Sequence, residues 1–79
     1  MIVEFYTRPD CPLCEEAKIM LKLVQEDQFF IIEEKNINER DEWTEEYGLM
    51  IPVIKTDGKV IQFGQVDYPT LSKRLQKNT

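Results

Sequence analysis

Two cysteines carry the most reactive chemistry of this 79-residue chain, and they stand three positions apart as Cys11-Pro12-Leu13-Cys14. A disulfide between them would close a loop of about four residues, for which chain entropy yields only about 2 kcal/mol. So small a gain makes the pair a poor staple and points to thiol–disulfide exchange. Other uses stay open: a structural disulfide, a metal site or a redox-responsive binding surface. Tetrahedral zinc needs four ligands, and the chain has no histidine and no second cysteine pair. A zinc ion or an iron–sulfur cluster would therefore have to be shared by a dimer.

The elements around the pair matter more than its bare spacing. Ile2 to Tyr6 reads as a strand, interrupted only by Glu4, and Thr7 to Asp10 as a loop. A helix follows from Pro12 to about Glu26, which puts Cys11 at its N-cap and Pro12 at its first position. Unpaired backbone N–H groups and the positive end of the helix dipole would then favour a Cys11 thiolate. Lowering a thiol from about 8.5 to about 6.5 raises the thiolate fraction at pH 7 roughly 25-fold. The accompanying loss of nucleophilicity removes about 8-fold, leaving a gain of about 3-fold in attack. The larger benefit is a better leaving group when Cys14 displaces it. Asp10, Glu15 and Glu16 oppose the thiolate while Arg8 and Lys18 support it, so a modest lowering is expected.

Further along, Leu13, Ala17, Met20, Leu21 and Val24 form an apolar stripe on the first helix, widened by Ile19 and Leu23. Phe29 to Ile32 reads as a second strand, apolar on both faces and so central in a sheet. Asn38 is the expected N-cap of a helix that carries Trp43 and Tyr47 as packing residues and stops at Gly48 in a left-handed conformation. Ile51 to Thr56 and Lys59 to Phe63 read as a hairpin about Asp57-Gly58. A last helix is expected from about Pro69 to Lys77. The order β-α-β-α-β-β-α implies an α/β architecture: a four-stranded mixed sheet flanked by three helices, in a single domain spanning 1–79.

Composition limits the partners. Fifteen acidic against ten basic residues gives a net charge of −5, so no nucleic acid or membrane partner is expected. No apolar run approaches the roughly 20 residues of a membrane span. The N-terminus lacks the basic and small-residue pattern of a secretory signal, and a reducing cytoplasmic setting suits a catalytic cysteine pair.

The segment Tyr6 to Cys14 resembles the strand–loop–CPxC–helix signature of glutaredoxin-like proteins of the thioredoxin fold. Tyr47 to Ile54 resembles the segment that carries their cis-proline, and Asp57-Gly58-Lys59 their hairpin turn. The pattern is most similar to that of small bacterial proteins with a CxLC motif. This resemblance covers essentially the whole chain. It implies a thiol–disulfide oxidoreductase with Cys11 as nucleophile, Cys14 as resolving thiol and Pro52 as the cis-proline. Pro12, Leu13, Ile51 and Pro52 would meet the substrate, with the Ile51 backbone free to pair with an extended chain. No cofactor is expected to be bound. Glutathione or a thioredoxin-reductase-like enzyme would serve as electron donor, a protein or small-molecule disulfide as substrate, and the monomer as the working form.

The chain departs from that family where glutathione would bind. The usual Gly-Gly pair is Gly64-Gln65, followed by Asp67. By the resemblance Asp67 would receive the glutathione amine and Arg8 a glutathione carboxylate. Asp67 as a helix cap and Arg8 as a solvated loop residue are the competing readings. Glu4 has two readings as well, a proton acceptor near Cys14 or a partly solvated strand-end carboxylate. Glu33-Glu34 and Glu45-Glu46 read as solvated surface.

Overall fold

The computed structural model describes residues 1–76. Strand β1 (Ile2–Thr7) runs into helix α1 (Pro12–Asp27). Strand β2 (Ile31–Asn36), a single 3-10 turn (Ile37–Glu39) and helix α2 (Asp41–Tyr47) follow. The hairpin β3 (Val53–Thr56) and β4 (Lys59–Phe63) leads to helix α3 (Tyr68–Leu75). The strands lie in the order β2-β1-β3-β4, with β1 parallel to β2 and the other two pairings antiparallel. This is the α/β thioredoxin-fold arrangement of a four-stranded mixed sheet and three helices that the element order implied.

Alternation along β1 builds two different layers, because successive side chains of a strand point to opposite faces. Val3 and Phe5 enter an aliphatic core with Ala17, Leu21 and Val24 of α1, Ile54 of β3, and Leu71 and Leu75 of α3. Tyr6 enters the opposite layer with Ile37, Tyr47 and Val53. There its ring meets Tyr47 at 4.3 Å and Trp43 edge-on at 5.6 Å, so both aromatic residues of α2 are packing residues as expected.

Several expectations need correction. β2 is not central: it forms one edge of the sheet and begins at Ile31 rather than Phe29. Phe29 is 88% exposed and precedes the strand, and of the apolar run only Phe30 is buried. The charges Glu33, Glu34 and Lys35 lie inside this strand, and an edge exposed to water tolerates them. The buried face of α1 is also narrower than its apolar pattern, since Leu13, Ile19 and Leu23 are exposed. Cys14, Ala17, Leu21 and Val24 suffice to cover the sheet where α3 packs beside α1.

Caps differ too. Asn38 caps nothing; the Asn36 side chain accepts from the Asn38 amide at 2.9 Å and closes the 3-10 turn. Helix α2 then starts at Asp41, behind Arg40, with no side-chain cap. Gly48 is not left-handed but helical, at φ −54°, and a Cβ there would collide with the Thr44 carbonyl. Strand β3 begins at Val53, two residues later than expected, because Pro52 has no N–H for the ladder. Asp57 and Gly58 both take positive φ, 53° and 76°, as a two-residue hairpin turn requires. Helix α3 begins at Tyr68, with Pro69 in its first turn, and ends at Leu75. Lys77, expected at its C-terminal end, lies outside the described residues.

Candidate active site

The loop between β1 and α1 presents the cysteines. Asp10, at φ 58°, turns the chain just before Cys11, a left-handed position that aspartate tolerates better than most residues. Cys11 is the N-cap of α1 and Pro12 supplies a first helical position that needs no N–H. The Cys14 amide donates to Cys11 Sγ at 3.2 Å, so one of the orphan N–H groups at the helix start is satisfied by sulfur. The two cysteines are disulfide-bonded, with Cα atoms 5.1 Å apart. Their surroundings differ. Cys11 is half-buried at the surface, whereas Cys14 is 3% exposed and belongs to the aliphatic core with Phe5 and Ala17. Incoming reagents therefore reach Cys11 first.

A cleft of about 480 Å³ opens beside the pair between α1 and the end of β2. Arg8, Asp10, Glu15 and Lys18 bring charge to it, and both cysteines line it. Lys18 is tied to Glu34 across the cleft at 3.0 Å, which spends part of the positive charge expected to favour the Cys11 thiolate. Arg8 has no ion-pair partner among the described residues, but it shares the cleft with the carboxylates of Asp10 and Glu15.

The remaining site residues form a second group. The Ile51–Pro52 peptide bond is cis, Pro52 is buried, and Ile51 packs against the same core as Cys11. The Gly64 amide donates to the carbonyls of Pro52 and Met50, at 2.8 and 3.1 Å, and so fixes the end of β4 to this loop. Gly64 holds φ +70°, a conformation that explains why glycine stands there. The Ile51 backbone is not free as expected. Its N–H donates to the Tyr47 carbonyl at 3.0 Å, and only its carbonyl has no partner among the described residues. The run from Tyr47 continues the helical turn of α2, which is why that amide is taken. Leu13, next to Cys11 and Pro12, is 40% exposed rather than buried in the helix stripe.

Asp67 acts as the N-cap of α3. Its carboxylate accepts from the Thr70 amide at 2.9 Å and from the Gln62 side chain at 2.8 Å. The Thr70 N–H, foremost, holds its carboxyl below the usual carboxylate range. Glu4 stands away from Cys14. It accepts from the Tyr6 hydroxyl at 3.2 Å and pairs with Lys35 at 3.3 Å, on the face of Tyr6 rather than the face of Phe5 and Cys14. The carboxylate reading of Glu4 as a proton acceptor for Cys14 is thereby set aside.

One group of residues escaped the sequence reading. Lys35 and Lys55 lie over the rings of Tyr6, Trp43 and Tyr47 at 5.3 to 5.9 Å, with Arg40 over Trp43 at 5.2 Å. Burial, followed by the negative charge of Glu4, raises the Tyr6 hydroxyl well above its ordinary range. The lysines are visible in the sequence, but only the strand register sets Lys35 beside Tyr6 and Lys55 beside Glu4.

Among the described residues no group of three or more histidine, cysteine, aspartate and glutamate side chains could hold a metal ion. No described helix is long and apolar enough to cross a membrane. The cysteine pair at the head of a helix is the feature that a redox function would use.

Known structures share this arrangement. The chain is similar to Northeast Structural Genomics target protein XcR50 from X. campestris, at 28% identity and a TM-score of 0.77, over 92% of this chain and 93% of that one. A structure described as that of a malarial protein covers 94% of this chain with 91% of its own length, at a TM-score of 0.67 and 10% identity, a likeness of fold alone. The family model of the glutaredoxin-like domain (DUF836) matches residues 2–76. The chain belongs to the glutaredoxin-like domain family, and its cysteine pair gives that membership a redox character.

Proposed function

We propose that the protein is a dithiol–disulfide oxidoreductase. The observation that carries this reading is the asymmetry of one bonded pair, with Cys11 half-exposed at a helix N-terminus and Cys14 buried behind it. In the reduced form the Cys11 thiolate attacks one sulfur of a substrate disulfide. A Cys11–substrate bond forms, the substrate S–S bond breaks, and the departing thiolate takes up a proton. Cys14 then gives up its proton and attacks Cys11 Sγ, which releases the second substrate thiolate and leaves the Cys11–Cys14 disulfide. Two electrons pass to the substrate in all; because Cys11 attacks as the thiolate, the first departing thiolate takes its proton from solvent and the second takes the one Cys14 gives up.

The resting dithiol is restored by two equivalents of glutathione or by a thioredoxin-reductase-like flavoenzyme. The exchange itself needs no organic cofactor, and a reducing compartment such as the cytoplasm suits it. The test is a pair of variants. Cys11→Ser abolishes reduction of insulin, while Cys14→Ser accumulates a mixed disulfide at Cys11 that mass spectrometry detects. Full activity in Cys11→Ser would sink the mechanism.

A further inference from the structure

We propose that Lys18 and Glu34 are positioning residues for the second half of the exchange, Lys18 favouring the Cys14 thiolate and Glu34 restraining it. The inference rests on the thiol–disulfide reading above and assigns residues to its resolving step. In that step Cys14 gives up a proton before it attacks Cys11 Sγ, yet Cys14 is 3% exposed and belongs to the aliphatic core. Burial disfavours a charged sulfur, so the thiolate gains from any cation within reach. Cys14 also lines the cleft beside α1, where the charged groups are Arg8 and Asp10 of the loop, Glu15 and Lys18 of α1, and Glu34 of β2.

Helix geometry puts Lys18 nearer to Cys14 than to Cys11. Both Cys14 and Lys18 belong to α1, and residues four apart stand on one face about 6 Å from each other. The Lys18 side chain, like any on a helix, leans toward the N-terminus and so toward the turn of Cys14. Cys11 precedes Lys18 by seven residues, about 10 Å along the axis, a full screening length in ordinary salt. The ammonium therefore bears on the buried sulfur before the exposed one. Glu34 sets how much of its charge is felt. Strand register places Glu34 beside Phe5, which shares the core of Cys14, and its carboxylate meets Lys18 Nζ at 3.0 Å. Among the described residues this is the only ion pair between α1 and β2. Both side chains are about half exposed, at 46% and 45%, so the pair adds little to stability and its loss leaves the fold intact. A unit charge about 6 Å away through water changes a thiolate fraction about threefold.

The experiment separates the two steps by stopped flow, with reduced protein in excess over dithiodipyridine, a neutral disulfide. Attack by Cys11 releases one thiopyridone and leaves the other bonded to Cys11. Attack by the Cys14 thiolate on Cys11 Sγ breaks that bond, releases the second thiopyridone and closes the Cys11–Cys14 disulfide. At pH 7 Lys18→Gln is expected to slow the second release about threefold and Glu34→Gln to speed it about twofold, while the first changes by less than about 1.5-fold. The pH profile of the second release should move up in Lys18→Gln and down in Glu34→Gln, and Lys18→Arg should restore it. Either glutamine variant breaks the bridge, so a purely structural pair would shift both in the same direction. In a Cys11→Ser background Cys14 is the only thiol, and the carbon NMR shift of its Cβ should titrate in the same order. Shifts of one sign, an unchanged second release, or an equal effect on the first release overturn the proposal. Wild-type protein that releases no second thiopyridone contradicts the oxidoreductase reading itself, an outcome distinct from the loss of this tuning.

Discussion

Lys55 Nζ donates to the Tyr47 hydroxyl at 2.7 Å, tying a cation of β3 to the last residue of α2. The same ammonium lies 5.8 Å from the Tyr6 ring centre, so one side chain joins β3, α2 and β1 on the aromatic side of the sheet. The contact with Tyr47, foremost, raises the Lys55 pKa above its ordinary value. Tyr47→Phe keeps the ring and removes the acceptor. It is expected to cost about 1 kcal/mol at neutral pH, measured by urea denaturation.

The alkaline limb of stability follows from the same cluster. Burial pushes the Tyr6 pKa above its ordinary value of 10.0, and Lys55 is raised from 10.5. In both cases the folded protein holds a proton to higher pH than the unfolded chain does. Their contribution is therefore complete below about pH 10 and is lost as pH rises beyond it. Unfolding free energy measured from pH 8 to 12 should fall above pH 10, and Tyr6→Phe should flatten that fall. An unchanged slope in Tyr6→Phe would remove Tyr6 from the account.

At the acid end the sign reverses for Asp67. Its folded pKa is lowered, chiefly by the Thr70 N–H, so its stabilisation is complete above an ordinary carboxylate pKa and is lost as pH falls through the lower folded value. Asp67→Ala should flatten the acid limb below about pH 4. Hydrogen exchange of the Thr70 amide should accelerate in this variant, because the amide loses its acceptor.

Leu21 tests the aliphatic layer. It is completely buried in the cluster that joins α1, α3 and the sheet. Leu21→Ala should cost about 2–5 kcal/mol, a large share of the stability of a small domain. Urea denaturation of the oxidised protein measures this directly.

Reduction of the cysteine pair, by contrast, should matter little to the fold. A loop of about four residues bounds the loss at about 2 kcal/mol. Thermal unfolding of reduced and oxidised protein should therefore differ by no more than the lower end of the range expected for Leu21→Ala. A reduced form that is unfolded at room temperature would contradict this.

Legibility in the sequence tracked the range of the forces involved. Cys11 at a helix start, the Asp57-Gly58 turn and the order of elements depend on local pattern, and each is present in the structure. The edge position of β2 was hidden because Phe29-Phe30-Ile31-Ile32 reads as a buried run, while strand order depends on pairings far apart in the chain. At the site, the positions of Arg8, Cys11 and Cys14 on one cleft were foreseeable from the loop. The engagement of the Ile51 N–H by Tyr47 was not, since it depends on how α2 ends. Gly48 is the residue concerned: glycine at a helix end suggested a left-handed stop, but the chain continues in a helical turn.

The alternation of β1 has a mechanical consequence for the cysteines. Phe5 anchors this strand in the aliphatic layer and Tyr6 anchors it in the aromatic one, and the loop to Cys11 leaves only one residue later. The strand works as a spine gripped from both sides. A disturbance in either layer, even on the far side of the sheet from α1, can tilt that spine and so shift the bearing of the sulfur. Variants distant from Cys11 can thus alter its reactivity without touching it.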